Sequence, residues 1–194
     1  MNDLPTKKQQ TYQRILDAAS QSFRSHGYAG IGVDGIAKKA GVTSGAFYAH
    51  LGSKDKAFNA ALEIGLGEVI AAVPKFQQDA GSNWVEVFVN YYLGQPHIED
   101  LACGCAMTTL SPEVVRTDPE IHALYEAKMK QIVALIAEGL EGNSTDECTA
   151  RAWSLIGILI GGLTMIRAVK TRKTAKQITS SILVAAINIA GKTK

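Results

Sequence analysis

The 194-residue chain is predicted to be all-α, with an N-terminal three-helix domain built on a helix-turn-helix and a larger helical C-terminal domain. Three observations carry that prediction. Apolar residues recur at three- and four-residue spacing in one segment after another. No stretch alternates apolar and polar residues over strand length, and no Asn-Gly or Asp-Gly hairpin turn interrupts the chain. The composition is that of an ordinary globular protein, 46% hydrophobic and 20% charged, which excludes a disordered or collagen-like chain. A chain of this length buries enough apolar surface to need neither a disulfide nor a metal to fold.

The first helix is expected to start at Thr6 or Lys7, just after Pro5, with Tyr12, Ile15, Leu16, Ala19 and Phe23 on its inner face. Gly27 fits a left-handed cap at its end, and Tyr28 to Gly32 form a linker. A short helix follows, in which Val33, Ile36, Ala37 and Ala40 make one apolar stripe. Gly41 stops it. Thr43 is placed to cap a second short helix, Ser44 to His50, by accepting a hydrogen bond from a free backbone N–H. Gly52-Ser53 breaks the chain again, and Ser53 caps the next helix. Longer helices are predicted over residues 55–73, 82–93, 103–110, 118–140, 145–169 and 174–190, with Pro96, Pro112 and Asp118-Pro119 as breaks. The last two are apolar nearly all round, so they must be covered on every side, within the subunit or by a partner.

Net charge is +2, from 20 basic and 18 acidic residues. Its distribution is uneven. Residues 1–56 hold eight basic and four acidic groups, a difference of +4, and residues 57–194 hold 12 and 14, a difference of −2. A basic N-terminal segment points to a polyanionic partner. The three cysteines, Cys103, Cys105 and Cys148, are too few and odd in number for a secreted disulfide framework. The N-terminal residues MNDLPTKKQQ lack the apolar core of a signal peptide. The apolar run from Ala152 to Ile166 is shorter than a membrane span and reads as a buried helix. A cytoplasmic protein with no membrane partner is the expectation.

Residues 33–51 read VDGIAKKAGVTSGAFYAHL, a helix, a short turn containing glycine, and a second helix. The second helix leads with Ser44, Gly45 and Ala46. Such small residues let a helix N-terminus approach a surface closely, and that terminus offers free N–H groups and the positive dipole end to phosphate. Lys38 and Lys39 flank the turn and Lys54 follows the second helix, where each can neutralise a phosphate.

From Arg14 to Phe58 the sequence resembles the TetR/AcrR family of transcriptional regulators. The matching elements are Phe23, Gly27-Tyr28, Ile36-Ala37, Ala40-Gly41-Val42-Thr43, Gly45, Phe47-Tyr48, His50 and Ser53-Lys54-Asp55. The resemblance implies a DNA-binding domain over residues 1–54 and a ligand-binding and dimerisation domain over residues 55–194. It implies a homodimeric repressor on a palindromic double-stranded operator, released by a small molecule, with no cofactor, no metal and no enzymatic activity. Ser44 to His50 would be the recognition helix in the major groove. Thr43, Tyr48, His50 and Lys54 would grip phosphates, with Lys38 and the backbone N–H of Val33 assisting. Ser44, Gly45, Ala46 and Ala49 would face base edges, the alanines able to touch a thymine methyl. The chain departs from the family at Ile31 and Gly32, where a Thr or Ser normally caps the helix and meets phosphate, and at Leu51, where Phe is usual.

In the C-terminal half, Trp84, Phe88, Tyr91, Cys103, Cys105, Met107 and Trp153 are candidates for an apolar ligand pocket. Cys103 and Cys105 also admit a sensor of oxidants or electrophiles, with Cys103 near a helix N-terminus that would lower its thiol pKa. The alternative is that both simply pack. With His97 they lack a fourth ligand for a metal. Trp153, Gly157, Gly161, Ile182, Ala186 and Ile189 are candidates for a dimer interface in a four-helix bundle across a two-fold axis. Arg167, Lys170, Arg172, Lys173 and Lys176 read as a solvated loop.

Overall fold

Helix α1, Lys7–His26, begins with a reciprocal cap: the Thr6 hydroxyl accepts from Gln9 N–H while the Gln9 side chain returns a bond to the Thr6 backbone. The computed structural model describes residues 5–194. Among these, ten α-helices and one short 3₁₀ turn account for the regular structure apart from an isolated antiparallel bridge, Leu140 to Thr193. Ile15, Leu16, Ala19 and Phe23 face inward as the spacing predicted, but Tyr12 is 38% exposed. It sits in the second turn of α1. Gly27 ends α1 at φ +71°, ψ 173°, so the chain leaves in an extended course and not in the left-handed helical cap expected.

Helices α2, Val33–Lys39, and α3, Ser44–Leu51, are joined by a turn whose Gly41 has φ +66°, a conformation costly for any residue with a Cβ. Ile36, Ala37, Phe47 and Leu51 close the bottom of this unit against Ile15, Ala19 and Phe23. Helix α4, Lys54–Ala80, is capped by the Ser53 hydroxyl, which accepts from Lys56 N–H at 3.1 Å. It runs seven residues past the predicted end, straight through Pro74. Pro74 is exposed, so water can satisfy the carbonyl whose partner the proline removes.

The first turns of α4 complete the N-terminal core: Phe58 meets Phe23 edge to face at 5.4 Å. Its later turns pack on α5, Trp84–Tyr92, and α8, Pro119–Glu138. Helix α6, Gln95–Glu99, was not anticipated, because it spans only five residues. Helix α7, Ala106–Val114, starts three residues later than predicted and contains Pro112, which does not break it. Helices α9, Thr145–Ala168, and α10, Arg172–Ala190, form the most extensive helix pair.

That pair differs from the sequence reading in its detail. The close approach falls at Gly162, where a Cβ would lie 2.6 Å from Ile182. Gly157 and Gly161 have nothing within 4 Å of a Cβ and are exposed. Ala186 is fully buried and Ile182 half-buried on the side of α10 that faces α9. Ile182 and Ala186 thus pack against α9 within the subunit. Helix α9 reaches a mean hydropathy of 1.4 over eighteen residues, and its buried face lies against α8 and α10. Arg167 is no loop residue. It is half-buried and donates to the His97 carbonyl.

Candidate nucleic-acid interface and the cavity behind it

The Thr43 hydroxyl accepts from Ala46 N–H at 3.2 Å, capping α3 as its sequence demands. Ser44 Oγ donates to Asp34 Oδ1 at 2.5 Å, tying the first residue of α3 to the first turn of α2. Phe47 is fully buried and holds the inner face. On the outer face Thr43, Gly45 and Ala49 are exposed, and Tyr48 is 52% exposed. Ser44, Ala46 and His50 are half-buried at its edges. Before Tyr48, no side chain on this outer face is larger than threonine, so a flat surface could approach the backbone closely.

Three lysines flank α3 along the chain. Lys38 is exposed at the end of α2, with Lys39 beside it. Lys54 Nζ lies 4.3 Å from the centre of the Tyr28 ring, a cation–π arrangement that limits where the ammonium can go. Tyr28 OH donates to Asp55 Oδ1 at 2.5 Å. Burial and then the Asp55 carboxylate push the Tyr28 phenol up to about 12. Sequence spacing gave no sign of the Tyr28–Asp55 or Asp34–Ser44 pairs, since the partners lie on different elements. Val33 opens α2 half-buried, and its N-cap Gly32 offers no side-chain bond. The first N–H groups of α2 thus stay uncapped by any side chain. A groove of about 790 Å³ runs between α1 and the end of α3, lined in part by Lys8, Tyr12, Arg14, Ala49 and His50. Tyr12, expected in the core, is one wall of it.

Behind this domain lies a cavity of about 90 Å³ between α4, α5, α6 and the turn leading into α7. Its walls include Glu68, Phe88, Tyr91, Tyr92, His97 and the segment 103–106. Of the ligand candidates, Phe88, Tyr91, Cys103 and Cys105 line it. Trp84, Met107 and Trp153 do not. Trp84 is buried farther along α4 and donates from Nε1 to the Gly139 carbonyl at 3.1 Å. Met107 is fully buried core, and Trp153 is 42% exposed on the outside of α9. Tyr92 and His97 were missed, because only the fold brings them to the cysteine segment. Tyr92 OH shares a 2.8 Å hydrogen bond with the Thr108 hydroxyl. His97 Nδ1 pairs with the Tyr91 carbonyl at 3.0 Å, and burial lowers the imidazole's pKa, favouring the neutral ring.

Neither Cys103 nor Cys105 sits where a thiolate is favoured. Cys103 lies on an exposed turn before α7 and not at a helix N-terminus. Partial desolvation and the neighbouring Asp100 carboxylate raise its pKa, and Asp100 itself accepts from Cys103 N–H at 3.0 Å. Cys105 is the buried N-cap of α7, and burial raises its pKa too. The expected lowering of the Cys103 thiol by a helix dipole is therefore reversed.

Residues 15–61 match the family of bacterial regulatory proteins known as the tetR family. The HTH-type transcriptional repressor NemR of Escherichia coli (strain K12) is 24% identical over 141 residues, 71% of either chain. The HTH-type transcriptional regulator SrpR of Pseudomonas putida is 44% identical over 54 residues, 28% of this chain and 25% of its own. The crystal structure of the reduced form of E. coli NemR superposes with a TM-score of 0.76 at 18% identity, covering 94% of this chain and 98% of that one. The tetR-family match thus lies in the N-terminal helices, and the fold is shared with that solved repressor along nearly the whole chain.

Proposed function

We propose that the protein is a transcriptional repressor that binds a palindromic operator as a homodimer and lets go when the cavity beside Cys105 is filled. The observation that carries the DNA-binding part is the outer face of α3, free of bulk before Tyr48 and flanked along the chain by Lys38 and Lys54. One such helix reads only a few base pairs, so a second half-site is needed, about 34–36 Å or a multiple away. The apolar outer face of the last two helices supports the dimer. Trp153, Gly157, Gly161 and Met165 lie four residues apart on one side of α9, and Val184 and Ile189 of α10 are exposed too. Exposed Trp, Met and Val side chains are costly in water and gain from a second copy.

Release follows from the size of the cavity. About 90 Å³ holds roughly three waters, while drug-sized ligands occupy about 300–1,000 Å³. A ligand can enter only by favouring a wider arrangement, and that differential binding shifts the population. The test is selection of genomic fragments by the purified protein at two salt concentrations. A recovered palindrome is expected. Absence of binding at low salt refutes the reading.

A second reading, release by thiol chemistry, is favoured by one observation: Cys103 is exposed on the turn that walls the cavity. Its raised pKa predicts slow reaction at neutral pH. Release by a mild oxidant that persists in Cys103→Ser, Cys105→Ser and the double variant excludes it.

A further inference from the structure

Arg24 is a charged residue of α1 whose side chain is 6% exposed. One end of its guanidinium, Nη1, donates to the carbonyl of Gly104 at 3.1 Å. The other, Nη2, donates to Glu68 Oε2 of α4 at 2.9 Å. Its Nε is buried and has no hydrogen-bond partner among the described residues. Both acceptors belong to residues that wall the cavity. The approach is tight: a Cβ at Gly65 would lie 2.9 Å from Arg24 Nη2. Gly104 is in turn wedged between the Asp100 carbonyl and the Arg167 guanidinium. Next to Arg24 in the chain, Phe23 stacks on Tyr28, whose ring carries Lys54.

We infer that Arg24 is the positioning residue through which the arrangement of residues 101–106 reaches the DNA-binding domain, because one rigid fork holds the Gly104 carbonyl and the Glu68 carboxylate together. The inference rests on the regulated DNA-binding reading above. A guanidinium is planar and its donors are fixed relative to one another. It can satisfy both acceptors only while the 101–106 turn and α4 keep their present separation. Widening the cavity moves one of them, and Arg24 must then follow one and abandon the other. The unpartnered Nε gives the side chain a reason to move, since an arrangement that satisfies it recovers a buried donor. Arg24 sits in the helix that forms the floor of the DNA-binding unit, so its displacement is felt by α1 directly.

The test is a double-mutant cycle on operator affinity with the full-length protein, read by fluorescence anisotropy on a recovered operator. Gly104→Ala is the perturbation, because its Cβ would lie 2.7 Å from the Asp100 carbonyl and press on Arg167. Gly104→Ala is expected to weaken operator binding at least fivefold when Arg24 is present. In an Arg24→Met background the same change is expected to cost less than twofold. Arg24→Lys, which carries the charge but can serve only one acceptor at a time, is expected to fall between. Equal losses with and without Arg24, or no loss from Gly104→Ala in a folded protein, overturn the inference. If circular dichroism shows that Arg24→Met does not fold, Glu68→Gln replaces it and is expected to reduce the Gly104→Ala effect by at least twofold. An unreduced effect there also overturns the inference. An unmutated protein that binds no operator overturns the regulator reading itself, a separate result.

Discussion

Two glycines of α4 test how closely this helix meets α7. At Gly65, an added Cβ would lie 2.9 Å from Arg24 Nη2 and would overlap the Cβ of Ala106 more deeply still. The second clash is the harder one, since Ala106 has no rotamer with which to yield and α7 would have to shift. Gly67, two residues on in the same helix, has nothing within 4 Å. Both positions are interior to α4 and neither has positive φ, so Gly→Ala gains the same helix propensity at each, about 0.8–1 kcal/mol. Overpacking a filled site costs about 1–3 kcal/mol, and only Gly65 incurs it. Gly67→Ala should therefore stabilise by about 1 kcal/mol, and Gly65→Ala should range from neutral to destabilising by about 2 kcal/mol. The difference between the variants isolates the overlap, because the propensity term cancels. Urea unfolding followed by circular dichroism measures both midpoints at a common slope. Equal stabilisation by the two alanines would refute the close α4–α7 approach, and with it the placing of Arg24 between them.

Three other expectations concern charge and assembly. Lys38→Gln and Lys54→Gln should each weaken operator binding for all sequences alike and reduce the slope of log K against log salt by about 0.9; an unchanged slope would mean that the lysine meets no phosphate. Tyr28 has a phenol pKa of about 12 in the folded chain against about 10 when unfolded. Its contribution is full below pH 10 and is lost as pH rises through 12, so Tyr28→Phe should flatten the alkaline limb of a stability–pH profile, and a steep limb in that variant contradicts the pairing with Asp55. Trp153→Asp with Val184→Asp should convert a dimer to a monomer in sedimentation without unfolding it, since both side chains face outward; a dimer that survives removes α9 and α10 from the interface.

What could be read from the sequence was local. The Thr43 and Ser53 caps and the turn at Gly41 depend on neighbours a few residues away, and each stands where its spacing put it. Pro112 misled: read as a break, it lies exposed within α7. The cavity was only half legible. Phe88 and Tyr91 were expected there as aromatics, but Trp84 and Met107 had equal claim by composition and are core. Nothing in their spacing separates them, since that depends on which face of α5 or α7 meets α4. Arg24 was invisible as a functional candidate. Its two partners are 44 and 80 residues away, and a basic residue in an N-terminal helix reads as surface.

The geometry makes some coupling between cavity and α3 hard to avoid. Helix α4 is one continuous rod of 27 residues, about 40 Å long. Its first turns form part of the N-terminal core through Phe58. Its middle turns, at Gly65 and Glu68, wall the cavity. Its last turns are anchored, with the Gln77 amide donating to the Leu135 carbonyl of α8 at 2.7 Å. A rod held at one end and pushed near its middle tilts. A tilt of about 5° moves the far end by roughly 3–4 Å over that length. In a dimer the two recognition helices would each be displaced, and their separation would no longer fit successive turns of the groove. Arg24 then decides the direction. While it holds Gly104 and Glu68 together, α1 and α4 travel with the 101–106 turn. Once one bond is lost, the N-terminal unit is free to follow α4 alone.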